Sequence, residues 1–202
     1  MIQLGEMLVK GGWCQILAVQ GRPDLCANVL VPKRRFKGGK PEPDRIVSAK
    51  YGITDFLEYE WANYLKIMGK CPEDLKRHFV TMHGIENSQD GRKALIMDVV
   101  KDDRGEIAPN LVRNARPLDP RFHEILERIR REVFVAHGID HFGIVRRNIL
   151  VRAPGDPVII DFQTGRERFR GQFWLRHPWF VRKKINRCFR KLYLEMGLKP
   201  DF

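Results

Sequence analysis

The chain has 202 residues with 43% hydrophobic content, which is enough for one domain of two modest lobes with a buried core. No run of about 18 apolar residues occurs, which excludes a membrane-spanning helix. The net charge of +12 favours phosphates, nucleic acid or an anionic membrane face as partners. The first residues lack the basic and then apolar order of a signal peptide, so a cytoplasmic location is expected.

The cysteines predict free thiols. Four of them are scattered along the chain, with no Cys-x-x-Cys pair and no histidine at zinc-binding spacing: Cys14, Cys26, Cys71 and Cys188.

Residues 4–31 predict three short strands. Gly11 and Gly12 separate the first strand from the second, and Pro32 ends the third. A Gly-Gly pair between strands lets backbone N–H groups approach a phosphate, and it is equally typical of a plain turn. Residues 33–53 are rich in Lys, Arg, Gly and Pro without apolar periodicity, which indicates a mobile loop.

Residues 55–68 predict a helix that Thr54 or Asp55 caps and Gly69 ends. Its apolar stripe is Phe56, Leu57, Trp61, Tyr64, Leu65 and Met68. The stretches HFVTMHG and KALIMDVV flank the turn ENSQDG, which favours a hairpin.

The second half of the chain predicts mainly helices. Asp119-Pro120 begins the clearest helix, and Gly138 ends it. Its stripe is Phe122, Ile125, Leu126, Ile129, Val133 and Ala136. The strands NILV and PVIIDF follow, and a last helix covers about residues 179–196. This order predicts an α+β fold with a small kinase-like two-lobe arrangement within one structural domain. The N-terminal lobe, residues 1–98, holds an antiparallel sheet plus a helix; the C-terminal lobe, residues 99–202, is mainly helical.

Asn148 and Asp161 are the most informative residues. The turn at Pro154-Gly155-Asp156 joins two strands, so the two side chains are expected at the same end of a hairpin. An amide oxygen beside a carboxylate is a hard-oxygen pair suited to Mg²⁺, and kinase-like phosphotransferases place an Asn and an Asp in this way. The alternative is structural, since both residue types also cap turns.

The same segment lacks a catalytic acid. Five residues before Asn148, where a kinase loop keeps its aspartate, the chain has Gly143. Glycine cannot accept a proton, so no catalytic residue is assigned. His141 is expected to brace the loop, and Asp140 would replace the acid only in a displaced loop.

The chain resembles the YrbL-type PhoP regulatory network proteins of Gram-negative bacteria, which belong to the protein-kinase-like superfamily. Four stretches carry the resemblance in order over about residues 8–195: RPDLCANVL, EYEWANYLK, ALIMDVVKDDRGEIAPNL and NILV…VIIDF. The resemblance implies a kinase-like fold and sites for ATP and Mg²⁺. It also implies that Asn28 stands where a third-strand lysine would grip phosphates, and that Glu60 is the helix carboxylate such a lysine would pair with.

The C-terminal helix is basic on one face. Apolar positions at helical spacing are Val181, Ile185, Cys188, Leu192 and Met196, and cationic ones are Lys183, Lys184, Arg187, Arg190 and Lys191. The apolar face is expected against the core. Trp174, Trp179 and Phe180 beside it suit a membrane interface.

Two functions follow from these patterns. The first is a kinase-like protein that binds a nucleotide with Mg²⁺, either as a weak phosphotransferase on an anionic acceptor or as a pseudokinase with a regulatory role. The alternative is a non-catalytic regulatory protein that binds an anionic membrane, lipopolysaccharide or nucleic acid through its basic C-terminal surface. On the second reading the protein is peripheral at the inner membrane.

Overall fold

A computed structural model describes residues 1–10, 14–31, 55–139, 143–162 and 177–200. These residues form a mixed α+β fold with a five-stranded antiparallel sheet, a two-stranded hairpin and four α-helices, which confirms the predicted class. No helix in these ranges is long and apolar enough to cross a membrane. The predictions for Gly11, Gly12, Asp140, His141 and the loop at 33–53 lie outside the described residues.

The five-stranded sheet confirms the predicted N-terminal strands and the hairpin after them. Its strands are β1 (Leu4–Lys10), β2 (Cys14–Val19), β3 (Arg22–Leu30), β4 (Met82–Asn87) and β5 (Lys93–Asp98), in the order β1-β2-β3-β5-β4. Gln20 and Gly21 join β2 to β3, and Gly21 has a φ of 73°, which glycine adopts without a steric cost. One face of the sheet buries a cluster made of Ile2, Leu17, Val19, Ala27, Val29, Ala94 and Ile96.

Helix α1 (Phe56–Met68) begins where the sequence predicts. Asp55 caps it, since its Oδ1 accepts hydrogen bonds from the backbone N–H groups of the second and third residues after it at 2.9 and 3.2 Å. The predicted stripe is wrong at Leu65, which is 50% exposed. The face that a 3.6-residue period defines from Leu57 instead buries two polar residues, Glu60 and Asn63, together with Tyr64 and Ile67.

Helix α2 (Glu73–Lys76) is short, and α3 (Pro120–Arg128) follows its predicted cap, with Asp119 Oδ1 accepting from the Arg121 N–H at 2.7 Å. The chain then continues as a π-helix, Ile129–Val135. A π-turn contains an extra residue, so the face beyond it rotates. For this reason the expectation that Ala136 is buried is wrong, whereas Arg130 and Phe134 are buried.

The C-terminal strands form a hairpin of β6 (Ile149–Ala153) and β7 (Asp156–Ile159). A 3₁₀ turn, Arg146–Asn148, precedes β6. Residues 78–80 run beside β7, with the Val80 N–H donating to the Ile159 carbonyl at 3.0 Å.

Helix α4 (Pro178–Glu195) matches the predicted last helix. It buries Val181, Ile185, Phe189, Leu192 and Tyr193. Phe189 therefore takes the central place that the sequence assigned to the half-buried Cys188, because the buried stripe passes one position further along the helix.

The chain divides into two compact units. Unit 1 comprises Met1–Ala62 and Thr81–Val99, and unit 2 comprises Asn63–Val80 and Val100–Phe202. Unit 1 contains the five-stranded sheet, and unit 2 contains the β6–β7 hairpin with α2, α3 and α4. All four cysteines are free thiols, as predicted.

Asp156 contacts the side chains of Arg77, His78 and Arg152 at the start of β7. His78 Nδ1 lies 2.9 Å from Asp156 Oδ1 and 3.1 Å from the Pro157 carbonyl, so this nitrogen faces two acceptors and carries a hydrogen. Arg152 Nε donates to Asp156 Oδ2 at 2.7 Å. Burial acts to raise the pKa of Asp156, but the hydrogen bonds from His78 and Arg152 outweigh it and hold the pKa well below its usual range.

We expect Asp156→Asn to lower the free energy of unfolding at pH 7 by about 2 kcal/mol, because it removes charge-assisted hydrogen bonds. A carboxylate whose folded pKa is depressed contributes stability above its usual pKa of about 3.8, and that stability is lost as the pH falls through the folded pKa. Urea denaturation should therefore show a difference between wild type and variant that shrinks below about pH 4.

The matched control is Asp74→Asn, which removes a carboxylate from an exposed ion pair with Arg128. Exposed ion pairs contribute little to stability, so this variant should unfold at nearly the same urea concentration as the wild type. Equal losses in the two variants would contradict a special role for Asp156.

Candidate functional site

Asn148 and Asp161 meet at one end of the β6–β7 hairpin. Ile149 and Ile159 are paired in the antiparallel register, so the residues just before β6 and just after β7 are neighbours. The Ile160 N–H donates to the Asn148 carbonyl at 2.9 Å, and Asn148 Nδ2 donates to Asp161 Oδ2 at 3.0 Å. The side chains that the sequence singled out are therefore in direct contact.

The backbone of Asp161 is in the left-handed region. Its φ is 69°, and it is the one non-glycine residue with a positive φ in the described parts of the chain. Aspartate and asparagine enter this region more readily than other L-residues, usually as single residues, and the contacts around them decide whether they stay there. Residues held in this way are concentrated at ligand-binding and catalytic sites.

The residue after Asp161 supplies that fixation. Phe162 is fully buried and makes an edge-to-face contact with Tyr64, with ring centroids 5.3 Å apart. Phe79 packs against the same ring at 6.3 Å. The Phe162 carbonyl also accepts a hydrogen bond from Asn63 Nδ2 at 2.9 Å, and that bond is buried. The side chain and the backbone of Phe162 thus both anchor the chain next to Asp161.

The donor set at this end of the hairpin fits a hard divalent cation. Asn148 is buried and Asp161 is half-buried, and the Asp161 carboxylate is a ligand that such a cation takes; the Asn148 amide presents its nitrogen to that carboxylate, so its oxygen would join the same cation after the amide turns over. A metal with few protein ligands of this kind fills its shell with water or phosphate oxygens, as Mg²⁺ does.

Two arginines lie in the 3₁₀ turn that ends at Asn148. Arg146 Nη2 donates to the Leu111 carbonyl at 3.2 Å, while its Nε is buried and has no hydrogen-bond acceptor among the described residues. Arg147 is exposed. Positive charge beside a carboxylate–amide pair favours an anionic ligand over a bare cation.

A second polar contact lies within unit 1, at the positions that the family resemblance singled out. Asn28 on β3 and Glu60 on α1 are both buried, and Asn28 Nδ2 donates to Glu60 Oε2 at 3.1 Å. Asn28 Oδ1 is also buried and accepts no hydrogen bond within the described residues. One of the two Nδ2 hydrogens is thus used by Glu60, and the amide oxygen, which is an acceptor like a phosphate oxygen, cannot bind a phosphate.

Gly143 begins the segment that leads into the metal-binding candidates. It is buried, and its carbonyl accepts from the Val145 N–H at 2.9 Å, so it acts through its backbone. The sequence interpretation missed Asn63 and Arg146. Asn63 was detectable in principle, because a polar residue three positions after Glu60 falls on the face of the helix that Leu57 defines.

No protein-family model matches the chain, and no curated protein is significantly similar to it.

The Asn28–Glu60 pair predicts a specific pattern of stability. Asn28→Asp places two carboxylates in one buried site, which should lower the free energy of unfolding at pH 7 by about 3 kcal/mol. The double variant Asn28→Asp/Glu60→Gln exchanges the amide and the carboxylate without changing either side chain's length. It should recover at least half of the loss, as measured by urea denaturation. Losses that simply add in the double variant would show that the two side chains do not interact.

Proposed function

We propose that the chain is a kinase-like protein that binds a nucleotide together with Mg²⁺, with Asn148 and Asp161 as the metal ligands. The observation that carries the proposal is the Asp161 carboxylate, held 3.0 Å from the Asn148 amide on a backbone in the left-handed region. A turn-capping role would explain the hydrogen bond. It would not require the double anchoring of Phe162, which fixes the direction of the aspartate.

The division of roles follows from charge. Asp161 supplies the full negative charge to the cation, and Asn148 supplies a neutral oxygen. Arg147, exposed in the adjoining turn, adds positive charge for the phosphates. A Mg²⁺ ion held by these two residues would supply charge neutralisation for the phosphates of the nucleotide.

The fold of unit 1 supports a kinase-like assignment. In protein kinases a lysine on the third strand pairs with a glutamate on the helix that follows. In this chain β3 carries Asn28 and α1 carries Glu60, and the two side chains are in contact at 3.1 Å. The third strand and the helix after it thus contact each other through the same two positions as in a kinase, although asparagine replaces the lysine. By this likeness we propose ATP as the nucleotide. We do not propose Asn28 as a phosphate ligand.

The missing acid determines what kind of kinase-like protein we propose. Gly143 offers no proton acceptor, so phosphoryl transfer would depend on positioning and charge neutralisation alone. The proposed activity is therefore a regulatory, nucleotide-binding pseudokinase or a slow phosphotransferase on an anionic acceptor. We retain the likeness to YrbL-type PhoP regulatory network proteins, and a cytoplasmic location, as parts of this proposal.

Thermal denaturation tests the proposal. A nucleotide present at about 100 times its dissociation constant adds roughly 2.7 kcal/mol to the free energy of unfolding. ATP with Mg²⁺ should therefore raise the melting temperature by about 5 °C or more, and ATP with a chelator should raise it much less. An equal shift from any polyanion, such as tripolyphosphate or heparin without Mg²⁺, would contradict nucleotide recognition.

Asp161→Asn should weaken Mg²⁺-dependent nucleotide binding at least about tenfold in titration calorimetry, because it removes the full charge at the metal. Asparagine tolerates the left-handed backbone, so the fold should be kept. Asn148→Ala should have a smaller effect, since a neutral oxygen is lost. The control Asp74→Asn removes a carboxylate elsewhere in unit 2 and should leave affinity unchanged. Wild-type affinity in Asp161→Asn would remove the metal assignment.

A further inference from the structure

Helix α4 is fixed to the core of unit 2 by one face. Phe189 packs against Phe134 with ring centroids 5.9 Å apart, and Arg130 Nη1 donates to Asn186 Oδ1 at 2.5 Å. The buried residues Val181, Ile185, Phe189, Leu192 and Tyr193 lie on this face, so the opposite side of α4 is turned outward.

The outward side carries a continuous line of residues. Phe180, Lys183, Arg187 and Leu194 follow one another at spacings of three, four and seven, so they share one face of a 3.6-residue helix. All four are exposed, as are the flanking residues Trp179, Arg190 and Lys191. We call these seven residues the exposed stripe. Its large apolar members are 54% (Trp179), 41% (Phe180) and 59% (Leu194) exposed.

The exposed stripe combines two chemistries. Aromatic residues stand at its beginning and a leucine stands near its end, about 22 Å further along the helix axis. Cations occupy the positions between them, and Glu195 is the one acidic residue of the helix. Lys183 Nζ lies 4.9 Å from the centroid of the Trp179 ring, so a cation and an aromatic ring are presented together.

We propose that the exposed stripe docks on the surface of an anionic lipid bilayer, with α4 parallel to the membrane plane. Trp and Phe prefer the headgroup region of a bilayer, and Lys and Arg are attracted to its negative surface potential. A flat surface can contact both apolar ends and the cations between them simultaneously. Nucleic acid phosphates would use only the cations and leave Leu194 and Phe180 in water, so the bilayer fits the surface better.

Vesicle cosedimentation of the full chain tests this docking. Vesicles of phosphatidylcholine and phosphatidylglycerol should bind the protein, pure phosphatidylcholine should not, and high salt should release it. A basic residue close to an anionic surface strengthens binding about fivefold, so Lys183→Glu/Arg187→Glu should weaken it at least about 25-fold. The control Lys66→Glu/Lys70→Glu makes the same charge change on exposed residues of unit 2 and should bind like wild type.

A second measurement reports the apolar contacts. Brominated lipids in the vesicles should quench tryptophan fluorescence in the wild type and quench it less in Trp179→Phe. Equal loss of binding in the two charge-reversed variants would overturn the proposal, because general charge would then be the cause. So would failure to bind anionic vesicles, or quenching that does not depend on Trp179. Binding to random RNA that competes fully with the vesicles would assign the exposed stripe to nucleic acid instead.

Discussion

The candidate metal site depends on the burial of Phe162. The ring is enclosed by Tyr64 and Phe79, and the carbonyl is held by Asn63, so the chain cannot rotate at this residue without losing both packing and a buried hydrogen bond. Asp161 precedes it directly and takes a left-handed backbone that is unfavourable by itself. Packing around an aromatic ring thereby determines the position of a carboxylate.

The Asn28–Glu60 contact and the Asn148–Asp161 contact have the same chemistry. In each, an amide N–H donates to a carboxylate on another segment, at 3.1 Å for Asn28 and Glu60 and at 3.0 Å for Asn148 and Asp161. Their surroundings separate their roles. Glu60 is almost completely buried, so its pair is an interior contact of unit 1, whereas Asp161 is half-buried and remains within reach of a ligand. The second pair is therefore the candidate for ligand binding, whereas the first is an interior contact of the fold.

The hairpins and helix caps could be predicted from the sequence because their signals are local. Gln20-Gly21 and Pro154-Gly155 are turns between apolar runs, and Asp119 precedes a proline at the start of a helix. Prediction failed where burial depends on tertiary packing. The predicted apolar stripe of α1 includes Leu65 and leaves out Glu60 and Asn63, because nothing in the sequence shows that these two polar residues have buried partners. The π-helix contains an extra residue, so a 3.6-residue period counted from α3 does not carry through it. For this reason the sequence predicts Ala136 to be buried, whereas it is exposed.

The most direct test of the metal assignment is anomalous diffraction from crystals grown with Mn²⁺ in place of Mg²⁺ and a non-hydrolysable ATP analogue. If Asp161 is a metal ligand, a manganese peak should lie within coordination distance of an oxygen of Asp161, with the Asn148 amide oxygen and phosphate oxygens completing its shell. A nucleotide bound with its manganese coordinated only by phosphates and water, away from Asp161, would contradict the account.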